Sequence, residues 1–293
     1  MDTLLQVLQI TAPVFILASI GYGWVKIGWD FNLQFVTRIA MTMSIPCLIF
    51  MSLMRAEIEP SALQALVYAS LAAYAGVAVV MAVIVAVTRL DLRTYLAPLI
   101  FGNTGNIGLP VALFAYGQDG LALAVVVFAI MAILSFTIGI WMVAGAGSPL
   151  TMLKEPMVHA TWAGGLFLYM GWSVPIWVGN TLDLIGQMGI PLMLITLGVA
   201  IARLKPGSMG RAVVLSVVKY GVCIAVPAYA AIYFGLSPMA TGVLVLQVAM
   251  PVAVTSYMLA AKYEAKSEDV AGMVVVSTLL AIFAIPAILS FVV

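Results

Sequence analysis

Between Gly102 and Pro110 the chain reads Gly-Asn-Thr-Gly-Asn-Ile-Gly-Leu-Pro, with three glycines, two asparagines and a proline in nine residues. Such a run is a poor helix interior, since glycine costs about 1 kcal/mol and proline ~3 relative to alanine. Apolar sequence nevertheless continues on both sides of it. Where a helix is interrupted, the next turn presents free backbone N–H groups and the positive end of its dipole, and both favour an anion. Asn103 and Asn106 add neutral amide donors, able to bind a carboxylate without permanently neutralising it. Thr104 lies between them. Pro251 predicts a second break, with Gln247, Thr255, Ser256 and Tyr257 as its polar neighbours. The candidate substrate-binding residues are therefore Asn103, Thr104, Asn106, Gln247 and Ser256, and the crossover positions are Gly105, Gly108, Pro110 and Pro251. A single Gly/Pro kink would have a purely structural reading, because both residues are common in membrane helices. The Gly102–Gly108 spacing also loosely resembles a dinucleotide loop, but no strand precedes it.

Few other side chains could do chemistry. Lys219 falls about two turns inside an apolar segment, roughly 12 Å below its end. It is either a snorkelling lysine or a fixed buried charge near the breaks, answering the negative ends of interrupted helices or steadying an anionic substrate. Arg38 sits nearer a helix end, where snorkelling or packing accounts for it. Asp183 occupies the equivalent place 145 residues later, near the opposite face, where hydration is expected. His159 is the single histidine, and an interfacial hydrogen bond is favoured over a proton relay. Cys47 and Cys223 lie far apart in apolar runs, so neither a disulfide framework nor a zinc spacing is available. No cofactor or metal is expected. Without a paired buried carboxylate or a serine–base arrangement, little is left from which to build an enzyme.

The elements that must position these residues follow from composition. The chain has 293 residues, 65% of them hydrophobic and 8% charged, with a mean hydropathy of +1.19. Soluble domains carry about 25% charged residues, and one soluble core could not bury this much apolar surface. A net charge of +1 with no basic stripe excludes a nucleic-acid binder. The long apolar runs exclude an outer-membrane barrel, whose strands alternate polar and apolar. The hydropathy pattern predicts an all-α polytopic membrane protein with ten spans of about 20 residues: 4–25, 33–53, 63–88, 97–116, 121–143, 157–172, 182–201, 212–234, 241–261 and 270–293. Met1-Asp2-Thr3-Leu4 lacks the positive start of a cleaved signal peptide, so the first span is expected to persist.

Nine of the twelve basic residues flank odd-numbered loops: Lys26, Arg89, Arg93, Lys154, Arg203, Lys205, Arg211, Lys262 and Lys266. Arg55 alone lies in an even-numbered loop. The positive-inside bias then puts odd loops in the cytoplasm and both termini outside. The halves also echo one another. Ser44-Ile45-Pro46 returns as Gly189-Ile190-Pro191, 145 residues on, and Leu109-Pro110-Val111-Ala112 as Met250-Pro251-Val252-Ala253, 141 on. Pro13 matches Pro156 at an offset of 143. Five spans per half is an odd number, so the second half must enter the membrane upside down. An inverted-repeat transporter with its site near the midplane is the expectation, divided as 1–145, a cytoplasmic linker 146–155, and 156–293. A channel has no use for paired breaks in an inverted repeat.

The residues Asn103-Thr104 and Gly108-Leu109-Pro110, then Gln247, Met250-Pro251 and Tyr263, resemble the auxin efflux carrier family, as do Lys219, Pro227 and Ser277-Thr278-Leu279-Leu280. That family includes the plant PIN-formed carriers and bacterial malonate-type carriers. The resemblance implies a five-plus-five inverted repeat of the bile-acid/arsenite/riboflavin transporter kind, with broken crossover helices 4 and 9. Helices 1, 2, 6 and 7 would form a scaffold and a homodimer surface, and helices 3–5 and 8–10 a mobile transport domain. Asn103 matches the position that holds the substrate carboxylate in plant carriers. The long cytoplasmic loop of the plant members is lacking, and Asn106 stands where the family is usually apolar, so a bacterial-type carrier for another organic acid is implied rather than one for auxin. The spans hold no deep Asp or Glu, which points to uniport driven by membrane potential. A proton- or sodium-coupled dicarboxylate importer is the alternative. The expected partners are the small organic anion and the lipid bilayer of the cytoplasmic membrane.

Overall fold

The computed structural model describes residues 2–144 and 156–292; the expected linker 146–155 lies outside the described residues. Among the latter the protein is entirely helical, apart from one isolated bridge between Gly102 and Val252. In chain order the helices are α1 (Asp2–Lys26), α2 (Leu33–Ile39), α3 (Ile45–Met54), α4 (Pro60–Val87), α5 (Leu92–Ile100), α6 (Leu109–Leu134) and α7 (Ile140–Ala144). They continue as α8 (Pro156–Met170), α9 (Ile176–Gln187), α10 (Gly189–Arg203), α11 (Met209–Tyr233), α12 (Pro238–Val248), α13 (Val254–Lys262) and α14 (Ser267–Val292). Starts follow ordinary capping chemistry. Pro60 and Pro238 occupy first turns, where no N–H is missed. The Asp91 carboxylate accepts from the Thr94 amide at 3.1 Å and so caps α5.

Among the described residues, seven helical runs are long and apolar enough to cross a membrane. The longest, Thr104–Ala144, is folded at Gly117, where φ 68° and ψ −154° leave the helical region. That conformation is open to glycine and strained for other residues. Three π-helical turns, Ala40–Ser44, Thr104–Gly108 and Ser135–Gly139, interrupt otherwise α-helical rods. Such wide turns concentrate at functional positions.

Packing sorts the helices into two groups. In one, α1 lies along α10 while α3 packs on α8 and α9. The α1–α10 approach is so close that a Cβ on Gly21 or Gly198 would collide with the Ile195 or Ala18 carbonyl oxygen. In the other, α11 packs on α4, α12 and α14, and α12 lies against α6. Large apolar side chains such as Val87, Ile232, Phe283 and Phe291 stand more than 70% exposed on the outer surface. That is the reverse of a water-soluble protein and is satisfied by lipid. An apolar cleft of about 420 Å³ between α6 and α8, walled by Phe128, Ile133, Trp162 and Tyr169, opens on this surface.

Candidate functional site

The two expected breaks meet. Helix α5 stops at Ile100 and α12 at Val248, and the chains that follow run antiparallel past each other. The Asn103 amide donates to the Pro251 carbonyl at 2.7 Å, and Gly102 pairs with Val252. Gly102 must be glycine here, since a Cβ would stand 2.7 Å from the Met250 carbonyl oxygen. The Val252 amide is held by Ser277 Oγ of α14 at 2.9 Å, and Tyr220 of α11 donates to the Ser277 carbonyl at 2.8 Å. Buried backbone that forms no helix is thus satisfied by its opposite strand and by α14, as a low-dielectric interior demands.

Beyond the crossing the two chains resume differently. Residues 254–262 form α13 directly. Residues 104–108, expected to be unwound through Pro110, instead form a π-helical turn in which both the Ile107 and Gly108 amides donate to the Asn103 carbonyl. The wide turn accommodates the glycines, and it brings Gly108 against the side chain of Gln247: a Cβ there would lie 2.9 Å from Gln247 Cδ. Two helix N-termini and two C-termini therefore converge on one buried point, positive ends beside negative ones.

The polar side chains at this point have nothing to bind. Asn103 Nδ2, Thr104 Oγ1 and both amide atoms of Gln247 are buried without a hydrogen-bond partner among the described residues. Native proteins leave few buried polar atoms orphaned, and here three residues at one crossing carry such atoms. Ser256 is buried on the first turn of α13, whereas Asn106 and Gly105 are half-buried. Gly105 faces the other packing group, its absent Cβ 3.4 Å from Met193 Cε of α10 and 3.2 Å from Phe128 Cε2. Pro110 and Pro251 are buried where the helical direction changes. The structure thus brings Asn103, Thr104 and Gln247 to the crossing and leaves Thr255 exposed.

Lys219 does not snorkel. It is 0% exposed, and its ammonium donates to the Leu99 carbonyl at 3.0 Å, in the last turn of α5 and four residues before Asn103. Cys223 lies 3.9 Å from both the ammonium and that carbonyl. A lysine at a helix C-terminus answers the partial negative charge of unpaired carbonyls. Tyr74 of α4, stacked on Phe101 with ring centroids 6.3 Å apart, buries a hydroxyl without a partner behind the crossing. Arg38 and His159 are exposed. Asp183, for which hydration was expected, forms a two-pronged ion pair with Arg55, at 3.0 and 2.7 Å. No group of three potential metal-binding side chains occurs among the described residues.

Met193 and the Arg55–Asp183 pair carry no signal in the sequence that marks them as part of the site, and Ser277 stands out only through the family resemblance, with nothing to give it a role at the crossing. A single serine in the tenth span, or a methionine in the seventh, is ordinary composition there.

The geometry is that of a multi-pass helical membrane protein with two broken helices crossing around unsatisfied polar groups. The profile of the family described as membrane transport protein matches residues 6–163 and 166–289, and the chain belongs to that family, that of the auxin efflux carriers. An uncharacterized transporter of Methanocaldococcus jannaschii is 25% identical over 193 residues, which cover 61% of this chain and 61% of that protein. The chain therefore spans about three-fifths of the length of the curated relative it matches.

Proposed function

We propose that the chain is a secondary transporter of small organic anions, a class that includes simple carboxylates, auxin-like weak acids and dicarboxylates. The observation that carries this reading is the set of orphaned polar groups at the crossing, on Asn103 and Thr104 at the start of one interrupted helix and on Gln247 at the end of the other. A carboxylate entering there would accept from the Asn103 amide, the Thr104 hydroxyl and the free amides of the first turn, each a charge-assisted bond. Asn106 and Ser256 complete the proposed binding set. Lys219 serves as a fixed cation one turn behind, on the negative end of α5.

The architecture we infer is ten helices in a five-plus-five inverted repeat, divided at 146–155, with broken fourth and ninth helices. Pairing of α1 with α10 and of α3 with α8 supports it, since an offset near 145 makes each pair the mate of the other. The α1, α2–α3, α8 and α9–α10 group is the scaffold and homodimer surface. The remaining helices form the transport domain, which slides past it in an elevator-type alternation. The chain lies in the cytoplasmic membrane with both termini outside, by the bias of basic loops. Potential alone suffices as a driving force, because a monoanion leaving a cell gains about 2.3 kcal/mol per 100 mV.

The test is uptake into proteoliposomes of labelled malonate, malate, short monocarboxylates and indole-3-acetate, with and without an imposed potential. Saturable, potential-sensitive flux of one acid is the expected result. Flux that needs a proton or sodium gradient would transfer the assignment to a coupled dicarboxylate importer. Failure of every carboxylate under every gradient would overturn the reading.

A further inference from the structure

A second cavity, polar and of about 250 Å³, lies apart from the crossing. It opens between the end of α3, the end of α9 and the turn of α6 at Gly117, with Arg55, Asp183, Asp119, Gln118, Gln187 and Ser52 in its lining. Its volume falls just below the ~300 Å³ lower end of small-molecule sites, which suits a small acid. Arg55 is the cationic group among these residues and is 57% exposed, while Asp183 is 27% exposed. The Asp183 carboxylate occupies two of the five guanidinium N–H groups. Gly179, with no Cβ, leaves open the space beside Arg55 Nη2, 3.8 Å away.

The cavity therefore already holds a carboxylate in the bidentate geometry that arginine prefers, but one supplied by the protein itself. Below it, Ser44, Leu48, Ser52 and Arg55 recur at spacings of four, four and three, from the end of the π-helical turn through α3 to its C-cap, and so line one side of this rod. Ser52 Oγ and Ser44 Oγ are both buried without a partner among the described residues. They lie about 12 Å apart along the helix. Ser44 stands beside Gly189, whose absent Cβ would be 3.5 Å from Ser44 Cβ, and one turn further along α10 Met193 meets Gly105 of the crossing. Two unsatisfied hydroxyls thus lie on the side of the cavity that faces α10 and, through Met193, the crossing.

We propose that this cavity is a carboxylate-receiving mouth. Arg55 takes the substrate's carboxylate in exchange for that of Asp183, and the acid then passes Ser52 and Ser44 to the crossover. No bond is made or broken. With the ion pair closed, the cavity carries a formal charge of −1 from Asp119, so an anion is admitted only as it engages Arg55. The proposal rests on the organic-anion reading above.

The experiment uses the full-length protein in right-side-out and inside-out membrane vesicles, with whichever labelled carboxylate the uptake panel identifies. On one vesicle orientation, Asp183→Asn and Asp119→Asn should each lower the half-saturating concentration three- to tenfold, and Arg55→Gln should raise it tenfold or more. The double variant Arg55→Gln/Asp183→Asn should behave like Arg55→Gln. On the other orientation all four should match the parent within twofold. Asp119→Asn leaves the ion pair intact, so its result stands even where breaking the pair harms folding. If Asp183→Asn and Arg55→Gln impair transport alike and Asp119→Asn changes nothing, the pair is only a clamp between α3 and α9, and the mouth is refuted. If the parent moves no carboxylate at all, it is the underlying anion reading that fails.

Discussion

Asn103 stands where three demands coincide. Its backbone amide ties the two crossing chains, its carbonyl accepts from two amides of the π-helical turn, and its side-chain Nδ2 has no partner among the described residues. Only the last of these is lost in Asn103→Ala. We therefore expect Asn103→Ala to fold with a thermal midpoint at or above the parent's, because a buried unpaired amide is unfavourable. Its affinity for the transported acid should fall roughly ten- to a hundredfold, the worth of a hydrogen bond to a charged group at about 1.5–3 kcal/mol. A drop in midpoint with unchanged affinity would show that the amide is structural. These residues were legible in the sequence because amides are conspicuous in an apolar run. The Arg55–Asp183 pair was not, since its members are 128 positions apart and each, taken alone, reads as a hydrated charge near a helix end.

At the scale of elements, the crossing depends on close backbone approach and on a brace. Gly102→Ala places a methyl 2.7 Å from the Met250 carbonyl oxygen and must push the two chains apart. Transport should be abolished while helical content by circular dichroism stays within a few per cent. Ser277→Ala removes the acceptor of the Val252 amide and leaves a buried donor unpaired, at a cost of about 1–3 kcal/mol. A lowered thermal midpoint with the substrate specificity retained is the expected outcome. The breaks were legible, because Gly-Asn-Thr-Gly-Asn-Ile-Gly-Leu-Pro cannot make a stable α-helix interior. The π-helical turn was not. Its two amides share the Asn103 carbonyl only because the opposite strand fixes that residue, and such a tertiary constraint leaves no local trace.

Across the whole molecule, Lys219 has a consequence for energetics. If it travels with the proposed transport domain, a loaded domain carries the lysine and a monoanion and moves no net charge. The empty domain carries +1 on its return, and a potential negative inside pulls it inward. Exchange of labelled for unlabelled acid should therefore be insensitive to potential, whereas net flux should depend on it steeply. In Lys219→Met, exchange should become potential-sensitive, because the loaded step then moves −1. That the chain is a multi-pass helical membrane protein was legible at this scale, because membrane thickness sets helix length. How the helices sort into two packing groups came only from the family resemblance, since apolar faces toward lipid and toward protein look alike in sequence. The most direct test of the central claim, that the crossover holds the substrate's carboxylate, is equilibrium binding of the transported acid to purified protein, parent beside Asn103→Ala and Gln247→Leu. One saturable site, weakened at least tenfold in both variants while the protein stays folded, is what the structure predicts. Undiminished binding in Asn103→Ala would contradict it and move the site away from the crossing.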